Sequence, residues 1–203
     1  MEITSAMEAF LEQERRAITE NIRRTGVHLT YVAVAAAEGD EPACACCRAL
    51  GTGPEEAEDA QDGVRDLFVA AGGDPALLPP RVGVPFCYTT GLFGAGHAEL
   101  VVLGLPPREA SAVLNGAAQR VLERGSDLAP GEQLDVAGRT VRVEELPMSG
   151  MVLLAAHDYY DRPPWEPIPA SQLTWADAAG RFPEDEGHDP GRWRQPPASG
   201  WRA

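Results

Sequence analysis

The strongest constraint on this chain is the stretch from residue 85 to 104, PFCYTTGLFGAGHAELVVLG. Two apolar runs, 84–90 and 99–103, flank a turn at 91–96 that contains three glycines. Their length and β-branched or aromatic content predict two strands, and the glycines predict the reversal between them. His97 and Glu99 stand where the turn meets the second run. On a strand, residues two apart share a face, so an imidazole would lie beside a carboxylate. General acid–base chemistry needs that pairing, because the carboxylate fixes the tautomer and raises the basicity of the ring. With His28 or His157 nearby, the same pair could also supply a 2-His-1-carboxylate metal site. The plainer alternative is that His97 caps the turn and Glu99 is solvated.

The flanks supply the scaffold. Residues 5–24 carry Met7, Phe10, Leu11, Ile18 and Ile22 at helical spacing and predict a core-facing helix that stops at Gly26. Residues 27–36 predict a strand bearing His28. After the central stretch, Pro106 and Pro107 open a second long helix with Ala110, Val113, Leu114, Ala117, Val121 and Leu122 on one face and Gly125 at its end. Leu134, Val136, Val141 and Val143 alternate about Ala137-Gly138, the pattern of a β-hairpin. Residues 151–160 predict a short helix. Residues 38–83, with their acidic run, the CACC cluster and a possible helix over 55–71, predict an insertion into one domain spanning 1–203. From 162 to 203 the Pro- and Trp-rich chain predicts a wrapping tail anchored by Trp165, Trp175, Phe182 and Trp193, with 172–175 as a possible short strand. The expected fold is α+β: a mixed or antiparallel sheet packed by two long helices, with a C-terminal wrap.

Charge narrows the partners. With 31 acidic against 17 basic side chains, a net charge of -14 would repel phosphate backbones and anionic lipid, so neither nucleic acid nor membrane is an expected partner. No apolar run is long enough to span a bilayer and no signal-like leader is present, which predicts a cytoplasmic protein. Richness in Ala, Gly, Pro and Arg fits a GC-rich bacterial genome.

Other residues qualify as candidates. Tyr88 and Thr90 share a strand face and could hydrogen-bond a ligand, although ordinary strand propensity accounts for them equally. Trp175 with Asp177 could line a small polar pocket or simply anchor the tail, and His157 clusters with Tyr159 and Tyr160. Cys44, Cys46 and Cys47, with Cys87 as a fourth, are weak candidates for a thiolate metal site, because adjacent cysteines cannot easily face one ion. No P-loop, dinucleotide fingerprint, nucleophile elbow or HExxH helix occurs.

Several separated motifs carry a resemblance. Phe86-Cys87-Tyr88-Thr89-Thr90-Gly91-Leu92, then Gly96-His97-Ala98-Glu99-Leu100, then Leu114-Asn115, is similar to the "aYTiGL … GHPEl … LN" order of the bacterial family called domain of unknown function 4262. Gln172-Leu173-Thr174-Trp175-Ala176-Asp177, Gly180-Arg181-Phe182-Pro183 and Gln195-Pro196 resemble its ending. Ala98 and Ala176 replace prolines of the pattern, and Glu184 replaces a tryptophan. The resemblance implies the fold and a site at the motif residues but no reaction and no cofactor.

Two functions therefore stand at the sequence level. In one, a cleft bounded by Tyr88, His97, Glu99 and Trp175 binds a polar small molecule and performs acid–base chemistry on it. In the other, the chain is an interaction or regulatory module for a basic protein partner; a metal-binding accessory role through the cysteines or His97 and Glu99 is a third alternative.

Overall fold

The computed structural model describes residues 5–33, 69–70, 72–163 and 165–203. Helix α1 (Ser5–Thr25) leads into strand β1 (His28–Val32). Strands β2 (Phe86–Thr90) and β3 (Glu99–Leu103) follow, then helix α2 (Pro107–Arg124), the hairpin β4 (Gln133–Val136) and β5 (Arg139–Glu145), helix α3 (Leu154–Tyr159) and strand β6 (Ala170–Trp175). One mixed sheet results, in the order β1-β2-β3-β6-β5-β4, antiparallel throughout except where β3 runs parallel to β6. The fold is thus the α+β arrangement expected.

Alternation distributes the strand side chains between two cores. Cys87, Leu100, Val102, Val141, Val143, Leu173 and Trp175 face α2, whose Val113, Leu114, Ala117 and Val121 are fully buried. Each Val or Leu removed from water there contributes roughly 1.5–3 kcal/mol, which is why α2 is fixed on the sheet. Phe86, Tyr88, Val101 and Leu103 face the other way, under α3, Ile168 and Trp201. The hairpin turns through Ala137 and Gly138, both at positive φ (51° and 77°), the two-residue loop that matches strand twist.

Helix α1 departs from expectation. Its C-terminal half approaches the domain, but Phe10 and Leu11 are 55% and 48% exposed, so its apolar spacing does not mark a face buried along its whole length. The C-terminal region departs further: the short strand expected at 172–175 is β6, a central strand of the sheet, and Trp165, expected to be an anchor, is 65% exposed. Trp201 is buried there as well as Trp175, edge-on to Phe86 and donating from Nε1 to Gln172. The expected helix over 55–71 and the cysteines at 44, 46 and 47 lie outside the described residues, apart from helical 69–70.

Candidate functional site

Glu99 is completely buried at the first position of β3. Its Oε2 accepts the Thr89 hydroxyl at 2.6 Å. Its Oε1 accepts the N–H of Gly91 at 2.8 Å, the N–H of Phe93 at 3.0 Å and the phenol of Tyr160 at 3.3 Å. Thr89 in turn accepts the Leu100 N–H at 2.8 Å, so the end of β2, the turn and the start of β3 form one hydrogen-bonded unit around this carboxylate. A side chain with four donors aimed at it and no exposed surface braces a loop. Glu99 is therefore neither solvated nor bonded to His97.

His97 precedes the strand. Its N–H closes on the Leu92 carbonyl at 2.9 Å as part of the turn, so strand alternation does not reach it. Its Nδ1 meets Asp127 Oδ1 at 3.1 Å, and the same oxygen accepts the Ala98 N–H at 3.0 Å. A carboxylate only accepts, so Nδ1–H donates to Asp127, and in the neutral ring Nε2 is the lone-pair nitrogen. Nε2 has no partner among the described residues, and the side chain is 14% exposed. The His97–Glu99 pairing anticipated from sequence is not formed; the carboxylate beside His97 is Asp127. Asp127 was not legible as its partner: thirty residues separate them, and only the return of α2 brings them together.

An open cleft of about 360 Å³ lies beside this turn. One wall is the turn itself, at Gly91, Gly94 and Ala95; the others are Ile22 of α1 with Gly26 just past its end, Leu122 of α2, and Tyr159 and Tyr160. Close approach shapes it. A Cβ on Gly91, at φ 140°, would stand 2.7 Å from the Gly26 carbonyl oxygen, so α1 can dock here only against a glycine. Tyr160 accepts the Gly94 N–H at 3.2 Å while donating to Glu99, which ties the buried carboxylate to the cleft wall. Burial and the neighbouring Glu99 push its phenol well above the ordinary range.

The remaining candidates are dispersed. Tyr88 is buried beneath α3, accepts the Ala155 N–H at 3.1 Å and has its phenol pushed up to about 12 by desolvation. Thr90 is buried with no partner for its hydroxyl among the described residues. Trp175 lies at the other end of β3 from Glu99, its Nε1 donating to the Leu103 carbonyl at 2.8 Å. Four residues of strand separate those ends, roughly 13 Å, so Tyr88, His97, Glu99 and Trp175 bound no common cleft. Asp177 accepts backbone N–H groups of Ala179, Arg181 and Asp189 and pairs with the Arg181 guanidinium, which together hold its carboxyl well below the usual range. It organises the 177–189 loop. His157 is buried between the Arg162 carbonyl and the Ile168 N–H, and burial lowers its pKa.

Cys87 is buried in the α2-facing core, and desolvation pushes its thiol up to about 12, far from a ready thiolate. Among the described residues no group of three His, Cys, Asp or Glu side chains could hold a metal ion, and no helix is long and apolar enough to cross a membrane. The model of a family described as Domain of unknown function (DUF4262) matches residues 76–189, a span that begins inside the segment expected to be an insertion. No curated protein and no solved structure matches the chain.

Proposed function

Because the chain belongs to the DUF4262 family, whose description names no activity, its role rests on its own geometry, and we propose that it binds a small molecule in the cleft beside the 91–96 turn. In this reading His97, which follows the lining residue Ala95 by two positions, is the proton-transfer group. The observation that carries it is the juxtaposition of three things in one short segment. Gly91, Gly94 and Ala95 line the cleft, Glu99 fixes them from behind, and His97, two residues past Ala95, is oriented by Asp127 with Nε2 unpartnered. An imidazole whose far nitrogen is held by a carboxylate is set to take a proton through the near one.

The test is a ligand-observed NMR screen of a fragment collection against the wild-type chain and Ala95→Phe. Ala95 is exposed, so phenylalanine there fills the cleft without touching either core. Hits are expected to disappear in the variant; hits that persist would remove the cleft from consideration. For any hit that is converted, His97→Ala is expected to slow turnover by about 100-fold or more while the melting temperature stays within a few degrees.

One observation favours a second reading, as an interaction module. Helix α1 leaves Phe10 and Leu11 in solvent on a chain of net charge -14, an apolar spot in an acidic setting suited to a basic protein. Loss of partner binding in Phe10→Ser/Leu11→Ser, with fragment binding intact, would separate the two.

A further inference from the structure

The polar groups that the cleft offers are almost all acceptors. Of the N–H groups along the turn, those of Gly91 and Phe93 are committed to Glu99, that of Gly94 to Tyr160, those of Ala95 and His97 to the Leu92 carbonyl, and that of Gly96 to the Phe93 carbonyl. A glycine-rich turn often cradles an anion with its amides. Here those amides are spent. The phenols are spent in the same sense. Tyr160 gives its proton to Glu99. Thr19 gives its single hydroxyl proton to the Arg15 carbonyl at 2.8 Å, so the 3.1 Å contact between Thr19 and Tyr159 must use the proton of Tyr159. What both tyrosines turn outward is lone pairs and ring faces.

The backbone around the cleft has the same sign, while the last turns of the two flanking helices carry Arg23, Arg24 and Arg124, which do not line it. Ile22 and Gly26 mark the C-terminal end of α1, and Leu122 lies in the last turn of α2, so the negative ends of two helix dipoles converge on the cleft. The Glu99 carboxylate stands directly behind Tyr160 and Gly91. No Lys or Arg lines the space. Phe93, Tyr159 and Tyr160 pack edge to face, with centroids 5.0 Å apart in each pair. That aromatic group already draws cations: Arg15 lies 5.8 Å over Tyr159 and Arg162 lies 5.3 Å over Phe93. Both guanidinium groups are compensated, by Asp161 and Glu166 respectively.

We infer that the cleft selects an organic cation: an ammonium group on a small apolar or aromatic body, held by tyrosine faces and acceptor lone pairs, with anions excluded. This rests on the cleft reading proposed above and adds the ligand class to it. Quaternary and primary ammonium groups are recognised in this way, by aromatic faces in a setting free of competing donors.

Three probes of one size and different charge decide the matter: phenethylamine, 2-phenylethanol and 3-phenylpropionate, titrated at neutral pH into the full chain by calorimetry and by shifts of the tyrosine ring protons. Phenethylamine is expected to bind at least about tenfold more tightly than the other two. Its binding should vanish in Ala95→Phe. In Tyr159→Leu, which keeps apolar area but removes a ring, phenethylamine should weaken by about fivefold while 2-phenylethanol is unchanged. Equal or tighter binding of the alcohol or the carboxylate overturns the ligand class while leaving the cleft itself standing. Phenethylamine binding that survives Ala95→Phe places the amine elsewhere and overturns the inference. So does failure of all three probes to bind at millimolar concentration, in which case the fragment screen still judges the cleft independently.

Discussion

A carboxylate stripped of all solvent has to be held by donors, and Glu99 is held by four. Glu99→Ala would orphan the backbone N–H groups of Gly91 and Phe93 and the hydroxyls of Thr89 and Tyr160 at once, and a loss of roughly 3–5 kcal/mol in urea denaturation is expected. His97→Ala removes only a partly exposed pair with Asp127 and should cost less than about 1 kcal/mol. Comparable losses for the two variants would contradict this division between brace and presented group. His157 supplies a residue-level pH dependence. Its Nδ1–H faces the Arg162 carbonyl and its Nε2 faces the Ile168 N–H at 3.5 Å, so protonation would set a donor against a donor. Its folded-state pKa is lowered, so as pH falls below about 6.5 the unfolded chain takes up the proton first and stability drops. The urea midpoint should therefore fall between pH 7 and pH 5, and His157→Leu should flatten that slope in part. Burial lowers His28 as well, so it adds to the slope in the same direction. A slope unchanged in His157→Leu would show that this ring does not titrate on unfolding. His97 and Glu99 were legible as special from type and spacing alone. Their true partners were not, because Asp127 and Tyr160 arrive through tertiary packing that no local period encodes.

Among the elements, the ones that alternate or repeat cleanly were visible in sequence: β2, β3, the β4–β5 hairpin and α2. Strand β6 was only half visible. Its Ser171, Gln172 and Thr174 are polar yet buried, and they owe this to distant groups: Gln172 meets Trp201 and the Pro196 carbonyl, and Thr174 donates to Glu144. A strand whose polar residues are satisfied from elsewhere has no hydrophobic signature, and the prolines beyond it pointed to irregular chain. Helix α1 erred in the opposite direction, since its apolar residues promised burial along the whole element and Phe10 and Leu11 are in solvent. What fixes α1 is its end. Gly91→Ala would press a methyl group onto the Gly26 carbonyl and Ile22 at a backbone angle unsuited to alanine. A melting temperature lowered by several degrees is expected, corresponding to about 2 kcal/mol or more. Little change on calorimetry would mean that α1 is not docked as described.

At the level of the whole molecule, a sheet covered on both faces explains how a chain this acidic stays compact. The α2-facing core is closed by a helix of its own; the other is closed by α3 and by Trp201, 26 positions beyond the last strand residue. Trp201→Ala should expose Phe86 and break the bond to Gln172, costing about 3–5 kcal/mol in chemical denaturation, although the residue touches no part of the cleft. A loss below about 1 kcal/mol would mean that the last turn of chain only rests on the surface. Repulsion within a net charge of -14 also implies that added sodium chloride raises the melting temperature, which scanning calorimetry from low to moderate salt would show.

The position of β6 has a consequence for how the molecule comes into being. Strands β1 to β3 form one ribbon and β4 with β5 another, and β6 alone joins them, running parallel to the first and antiparallel to the second. While the chain is being synthesised, neither ribbon can be sealed to its neighbour until Trp175 has left the ribosome, so most of the polypeptide waits with its inner edges unpaired. Assembly is then a late, nearly simultaneous event governed by contacts distant in sequence, the circumstance in which folding is slow and chaperones matter most.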